Sequence, residues 1–233
     1  MTNEATGGDA AVTAAAAAAV LDPIEIRVLA VLAEKEALTP DNYPMSLNAI
    51  VNGCNQLSSR DPVMQLTDEV VQDTLQRLIE RKLVNGISQA GARVIKYEHR
   101  MRIKWTLEQD KVAVLAVLML RGLQTAGEIR TRTGRLHEFK SVAEVETALQ
   151  FLIDKYPPLV ARLERAPGTK EPRYGQLLGG EITIVAGSEQ VNSAAAGMTQ
   201  GGRIGQLEQE VAALRGELED LKAQFEAFRQ QFQ

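Results

Sequence analysis

The string Val-Leu-Ala-Val-Leu occurs twice, at Val28–Leu32 and at Val114–Leu118, and each copy is followed seven residues later by a threonine, Thr39 and Thr125. The two strings lie 86 residues apart. Further on, Val71, Leu75, Leu78 and Ile79 match Val145, Leu149, Leu152 and Ile153 at an offset of 74. Leu83-Val84 then match Leu159-Val160, and Tyr97 matches Tyr174. The falling offset points to two copies of one unit, the first carrying an insertion of roughly ten residues between Thr39 and Thr67. A chain so built must bury two similar sets of apolar stripes, which restricts it to a paired architecture.

Each copy reads as helix, helix, helix, hairpin. Asp22-Pro23-Ile24-Glu25 supplies an acceptor cap, a proline at the first helical position and an acid placed to reach back. Thr106/Gln109, Thr125/Glu128 and Ser141/Glu144 have the spacing of further capping boxes. Apolar residues at three-to-four spacing predict third helices from about Thr67 to Lys82 and from Ser141 to Tyr156. An apolar strand, a glycine-containing turn and a second strand follow each one. The turns fall at Gln89-Ala90-Gly91-Ala92 and at Ala166-Pro167-Gly168-Thr169. The expected fold class is mainly α with small β wings, as tandem winged-helix (helix-turn-helix variant) domains. The domains span residues 21–105 and 106–179, after a disordered Ala-rich tail over 1–20. Residues 180–203, rich in Gly, Ala, Ser and Gln, read as a flexible linker.

A C-terminal coiled coil is expected over residues 204–232. Ile204, Leu207, Val211, Leu214, Leu218, Leu221, Phe225, Phe228 and Phe232 alternate spacings of three and four. Such a seam needs a partner, since each large apolar side chain left in water forfeits about 1.5–3 kcal/mol. With Ile204 at position a, Glu210 and Glu217 fall at g, and Arg215 and Lys222 at e five residues later. That pattern favours a parallel homodimer with Ile204 through Phe228 as the interface. Docking of this helix on its own body is the alternative.

Composition removes several function classes. The chain carries one cysteine, Cys54, and two histidines, His99 and His137, far apart in the repeat. An internal disulfide is therefore excluded, and a reducing cytosol is the expected compartment. There is no paired-cysteine metal spacing, glycine-rich phosphate loop or nucleophile elbow, so neither cofactor, metal nor catalytic residue is expected. Cys54 reads as a small buried hydrophobe rather than a nucleophile. No apolar run is long enough to span a bilayer, and the Ala-rich start lacks the basic residues of a signal peptide.

The net charge of −4 is uneven. Residues 1–20 sum to −2, 21–105 to 0, 106–180 to +2 and 181–233 to −4. The tails hold the acidity, so a low pI does not exclude nucleic acid. In Val94–Trp105, Ile95, Tyr97, His99, Met101 and Ile103 alternate with Lys96, Glu98, Arg100, Arg102 and Lys104. An extended chain would place a charged set on one face, with Arg93 extending it from the wing tip. Arg93, Lys96, Arg100, Arg102 and Lys104 are thus candidate contacts to the phosphates of duplex DNA. Arg130, Arg132 and Arg135, at the end of the second copy's middle helix, form a second basic cluster. Both stretches also read as solvated surface. His99 reads as a hydrogen-bonded packing residue.

The third helices argue against base reading. The first carries Asp68, Glu69, Asp73 and Glu80, and the second Glu144, Glu146 and Asp154, crowding the turns that would meet DNA. The expected function is a non-enzymatic dimeric DNA-binding protein, possible as a transcriptional regulator, or else a protein-interaction scaffold that uses its winged helices as docking surfaces.

The chain resembles the YceH-like family of uncharacterised bacterial proteins. The match rests on Leu38-Thr39-Pro40, Tyr43-Pro44, Ser46-Leu47-Asn48, Cys54-Asn55-Gln56 and Arg60-Asp61-Pro62-Val63-Met64. Leu120-Arg121-Gly122, Pro167-Gly168 and Arg173-Tyr174 complete it. It covers residues 22–180, with a similar terminal coiled coil. The resemblance implies tandem winged helices and brings no established activity.

Overall fold

A computed structural model describes residues 20–88, 94–164 and 171–182. The two hairpin turns, the Ala-rich start, most of the linker and the whole heptad segment lie outside the described residues.

The first helix, α1 (Pro23–Leu38), starts where the sequence places it. Asp22 Oδ1 accepts the N–H groups of Ile24 and Glu25, both at 2.8 Å, and Glu25 Oε2 accepts from Asp22 N at 2.9 Å. This closes a capping box around a proline that has no N–H to satisfy. From Glu25 to Glu34 every residue of α1 is buried, and α5 (Gln109–Arg121) is likewise buried from Val112 to Leu120. A helix carrying so long an unbroken apolar run as Val28–Ala33 or Val112–Leu120 has to sit inside. Both Val-Leu-Ala-Val-Leu strings do so, and α1 and α5 pack on each other at the middle of a single core.

The other elements clothe this pair. In the first half α2 (Leu47–Cys54) and α3 (Asp68–Glu80) pack on α1, and in the second α6 (Ala126–Thr133) and α7 (Val142–Ile153) pack on α5. A single 3₁₀ turn, Pro40–Asn42, follows α1, and a short α4 (Met101–Trp105) leads into α5. Serine or threonine caps start four of these helices, because their oxygens satisfy N–H groups that the first turn leaves free. Ser46, Thr67, Thr125 and Ser141 accept from Ala49, Val70, Glu128 and Glu144 respectively. Thr125/Glu128 forms a full capping box. Ser141 is only half of one, since Glu144 Oε2 accepts from Lys140 N instead.

Each half ends in antiparallel strands: β2 (Val84–Ile87) with β3 (Lys96–His99), and β4 (Val160–Leu163) with β5 (Arg173–Gln176). A two-residue strand, β1 (Met45–Ser46), adds to the other edge of β3, giving the order β1-β3-β2. In the second half Gln124 bridges Tyr174 as Met45 pairs with Tyr97. The described residues are therefore mainly helical with two small antiparallel sheets.

Three expectations are corrected. Thr39 is not the counterpart of Thr125: it ends α1, whereas Thr125 caps α6, and the structural counterpart of Thr125 is Ser46. The extra residues of the first half consequently fall both before α2 and in the loop between α2 and α3. The Thr106/Gln109 box does not form. Thr106 closes α4 with φ of 51°, so α5 starts two residues later from Glu108 with no side-chain cap. Val94–Trp105 is not one strand. Pairing stops at His99, and the chain coils into α4 because Met101 drops into the core at 0% exposure. Ile103 is left 70% exposed as a result.

Candidate ligand-binding surfaces

Lys82, Arg100 and Lys104 line one surface groove together with Ile79, Val84, Asn85 and Ile103. The backbone explains why they meet. Leu83 N–H bonds to Leu78 C=O as α3 ends, with Lys82 in the left-handed region at φ 59°. Arg100 N–H then bonds to Leu83 C=O, bringing the start of α4 against the end of α3. Neither these three side chains nor Lys96, further along β3, makes an ion pair or side-chain hydrogen bond within the described residues. Sequence reasoning missed Lys82, although its place between a helix end and an apolar strand was visible.

The other expected cations divide differently. Arg102 lies along the surface, donating from Nη2 to Glu36 Oε2 at 3.4 Å and to the Gln109 side chain. Arg130 fastens the turn after α6 by donating to the carbonyls of Phe139 and Lys140. Arg132 donates to Gln124 Oε1 at 2.7 Å and faces Glu128 at 3.5 Å. Arg135 is exposed, and Arg93 lies outside the described residues, as do Ile204, Leu207, Val211, Leu214, Leu218, Leu221, Phe225 and Phe228. The structure thus gathers Lys82, Arg100 and Lys104 in one groove, leaves Lys96 in a separate one beside Met45 and Ser46, and gives Arg102, Arg130 and Arg132 intramolecular partners.

The outward face of α3 is acidic. Asp68, Glu69, Asp73 and Glu80 are exposed along it, with Gln72 and Gln76 between them. Its one arginine, Arg77, is turned toward Asp22 at 3.0 Å and Glu25 at 3.5 Å.

His99 has a structural post. Its Nδ1 accepts Met101 N–H at 3.2 Å, so its other ring nitrogen carries the proton and donates to Glu36 Oε2 at 3.0 Å. Hydrogen bonding from His99, opposed by partial burial and assisted by the charge of Arg102, holds the Glu36 carboxyl below its ordinary value. The ring stands edge-on to Tyr43, whose hydroxyl accepts His99 N–H at 2.7 Å.

The Cys-Asn-Gln and Arg-Asp-Pro-Val-Met stretches are tied together around α1. Arg60 grips Glu34 with both terminal nitrogens, at 2.6 and 3.2 Å, and donates to Gly53 C=O and Gln56 Oε1. Arg27 donates to Cys54 C=O at 3.1 Å and Pro62 C=O at 2.6 Å. Asn55 closes the loop by exchanging two hydrogen bonds with the Leu66 backbone. Burial would raise the Glu34 carboxyl, but hydrogen bonds and charge from Arg60, then Lys35, hold it below its ordinary value. Burial pushes the Cys54 thiol up to about 12 despite the charges of Arg27 and Arg60, so it stays protonated and packed, with no nucleophilic character.

Among the described residues no helix is long and apolar enough to cross a membrane, and no group of three His, Cys, Asp or Glu could hold a metal ion. The class defined so far is a mainly helical protein with two small antiparallel sheets.

Sequence comparisons narrow this to a family. Residues 21–169 match the family described as "Protein of unknown function, DUF480". The chain is 69% identical over 214 residues to a UPF0502 protein of Janthinobacterium sp. (strain Marseille), covering 92% of each chain. It is 64% identical over 217 residues to another from Herminiimonas arsenicoxydans, again covering 92% of each. A UPF0502 protein of Vibrio parahaemolyticus is 46% identical over 214 residues, covering 89% of this chain and 97% of that one. The chain belongs to the DUF480/UPF0502 family, with which the YceH-like resemblance is consistent. None of these names states an activity.

Proposed function

We propose that this is a non-enzymatic protein of two winged-helix units that serves as a dimeric protein-docking module, with the heptad segment 204–232 pairing two copies in parallel. The winged-helix reading rests on the order of three helices and a hairpin in each half, with β1 and Gln124 at the same place in each sheet. The observation that carries docking over base reading is the acidic outward face of α3. In a helix-turn-helix unit this helix enters the major groove N-terminus first. Asp68, Glu69 and Asp73 would there meet phosphates and acceptor-rich base edges without a compensating cation. The same face suits a basic partner protein.

The four unpaired cations Lys82, Lys96, Arg100 and Lys104 favour a second reading, duplex DNA held by its phosphates alone. A titration of random duplex at several salt concentrations separates the two. Four phosphate contacts give log K falling against log salt with a slope of about −4. The docking reading expects a weak response that is flat in salt. It also expects that reversing Asp68, Glu69 and Asp73 to lysine removes a protein that copurifies with the wild type. A steep salt slope abolished by Arg100→Glu and Lys104→Glu would replace docking with DNA binding. Dimerisation is checked separately: deleting residues 203–233 should give the mass of a single truncated chain in sedimentation, and the mass of two truncated chains would remove the coiled coil from the proposal.

A further inference from the structure

A second cavity is framed by α1, the loop after α2, the end of α5 and β5. It measures about 340 Å³, within the range of small-molecule sites. Its walls are mostly apolar, from Ile26, Pro62, Met64, Leu118, Met119 and Ile182. Its polar groups are few: Arg27, Asp61 and Gln176.

Arg27 is the unusual one. It stands among the apolar residues of α1 at 1% exposure. It makes no ion pair: its terminal nitrogens go to two carbonyls, and its Nε, fully buried, has no partner. Buried charges are ordinarily paired, because removing one from water costs several kcal/mol. Arg60, by contrast, is fully satisfied by Glu34 and neighbouring acceptors. Burial, then the charge of Arg60, shifts the Arg27 guanidinium below its ordinary value, with Cys54, Asp61 and Glu34 opposing, yet arginine keeps its proton. A lone guanidinium lining an apolar cleft lacks an anion.

The remaining polar groups refine the match. Gln176, which lines the cleft, accepts from Gly179 N at 3.2 Å through Oε1, and its NH₂ group has no hydrogen-bond partner among the described residues. Asp61 is exposed, its N–H held by Leu120 C=O at 2.8 Å. Asp61, on the exposed side of the cleft, repels a doubly charged phosphate more than a singly charged carboxylate. Gly175 keeps the far wall closed: a Cβ there would sit 2.5 Å from both Ile182 and Leu123.

We propose that this cleft binds a small monocarboxylate with an apolar body, its carboxylate set against Arg27 and the Gln176 amide and its body against Ile26, Met64 and Met119. This goes beyond docking and stands or falls independently of it.

The test uses the full chain and three probes with one apolar body and different heads, hexanoate, hexanol and hexylamine, at neutral pH. Hexanoate should raise the melting temperature progressively with concentration, as a ligand of the folded state does. It should bind about tenfold more tightly than hexanol, the discrimination expected of a charge-assisted contact, and hexylamine should have no effect. Met119→Trp and, separately, Leu123→Phe fill the cleft and should abolish the hexanoate response, at least one of them in a protein whose circular dichroism is unchanged. Equal responses to hexanoate and hexanol, no response to hexanoate, or full binding in a folded cleft-filling variant would each overturn the assignment.

Discussion

Glu34 and Arg60 show how one pair of side chains can hold a loop that has no regular structure of its own. Arg60 is buried outright and Glu34 is 10% exposed, so removing Glu34 leaves a buried charge unpaired, and removing Arg60 leaves Glu34 with only Lys35 at 3.2 Å. Arg60→Ala should cost about 3–5 kcal/mol in urea unfolding. The double variant Glu34→Leu/Arg60→Met, which removes both charges and keeps volume, should recover most of that loss. If the double variant is no better than the single one, the pair is not what fastens the loop. The same pair sets part of the acid limb. Glu34 and Glu36 both have folded values below the ordinary 4.5, so the folded chain binds protons less readily than the unfolded one. Their contribution is complete above the unfolded carboxylate range and is lost as pH falls through the folded values. Glu34→Gln should therefore flatten the decline of stability between neutral and acid pH, leaving the Glu36 contribution. An unaltered pH slope would show that Glu34 does not titrate with unfolding.

At the scale of elements, what is local in sequence was legible. Asp22/Glu25 and Thr125/Glu128 close boxes within four residues of chain, and both buried Val-Leu-Ala-Val-Leu helices announce themselves by composition. What depends on distant partners was not. Arg102 finds Glu36 across 66 positions, and Met101 leaves the expected strand for a core pocket that no local pattern reveals. Thr106 in the left-handed region, likewise, defeats a capping box whose spacing was correct. Two backbone predictions follow from helix ends of this kind. Gly122 closes α5 at φ 71° and ψ −147°, a region that side chains avoid, and a Cβ there would touch nothing within 4 Å. Gly122→Ala should lose about 1–3 kcal/mol through backbone strain alone. Thr106→Gly should be neutral or stabilising by up to about 1 kcal/mol, because it removes the Cβ cost of the left-handed turn. A loss on Thr106→Gly similar to that of Gly122→Ala would mean the hydroxyl or methyl of Thr106 has a structural use of its own.

At the scale of the molecule, the basic stretches changed most in meaning. Read along the chain, Arg93 to Lys104 and Arg130 to Arg135 are two equivalent basic clusters. In the fold only the first retains a group of unpaired cations, because Arg130 and Arg132 are used to fasten α6. Of the expected cations, Arg100 and Lys104 share a groove with Lys82, while Lys96 lines another. The shared core makes a stronger whole-molecule prediction. Leu29 of α1 and Leu115 of α5 are both at 0% exposure within one cluster. Leu115→Ala should cost about 2–5 kcal/mol. Amide exchange should then accelerate in α1 as much as in α5, since both open only in the same cooperative event. Faster exchange confined to α5 would mean the halves unfold separately.

Helices such as α1 and α5 also bear on how such a protein could change over generations. Units strung along a chain can be lost, exchanged or added one at a time, each remaining viable. Here each unit has made its greasiest helix the other's wall, so a gene cut near Thr106 would encode a half exposing the apolar residues of that helix to water. Expressed alone, residues 20–106 should precipitate, and inheritance of the pair would be all or nothing.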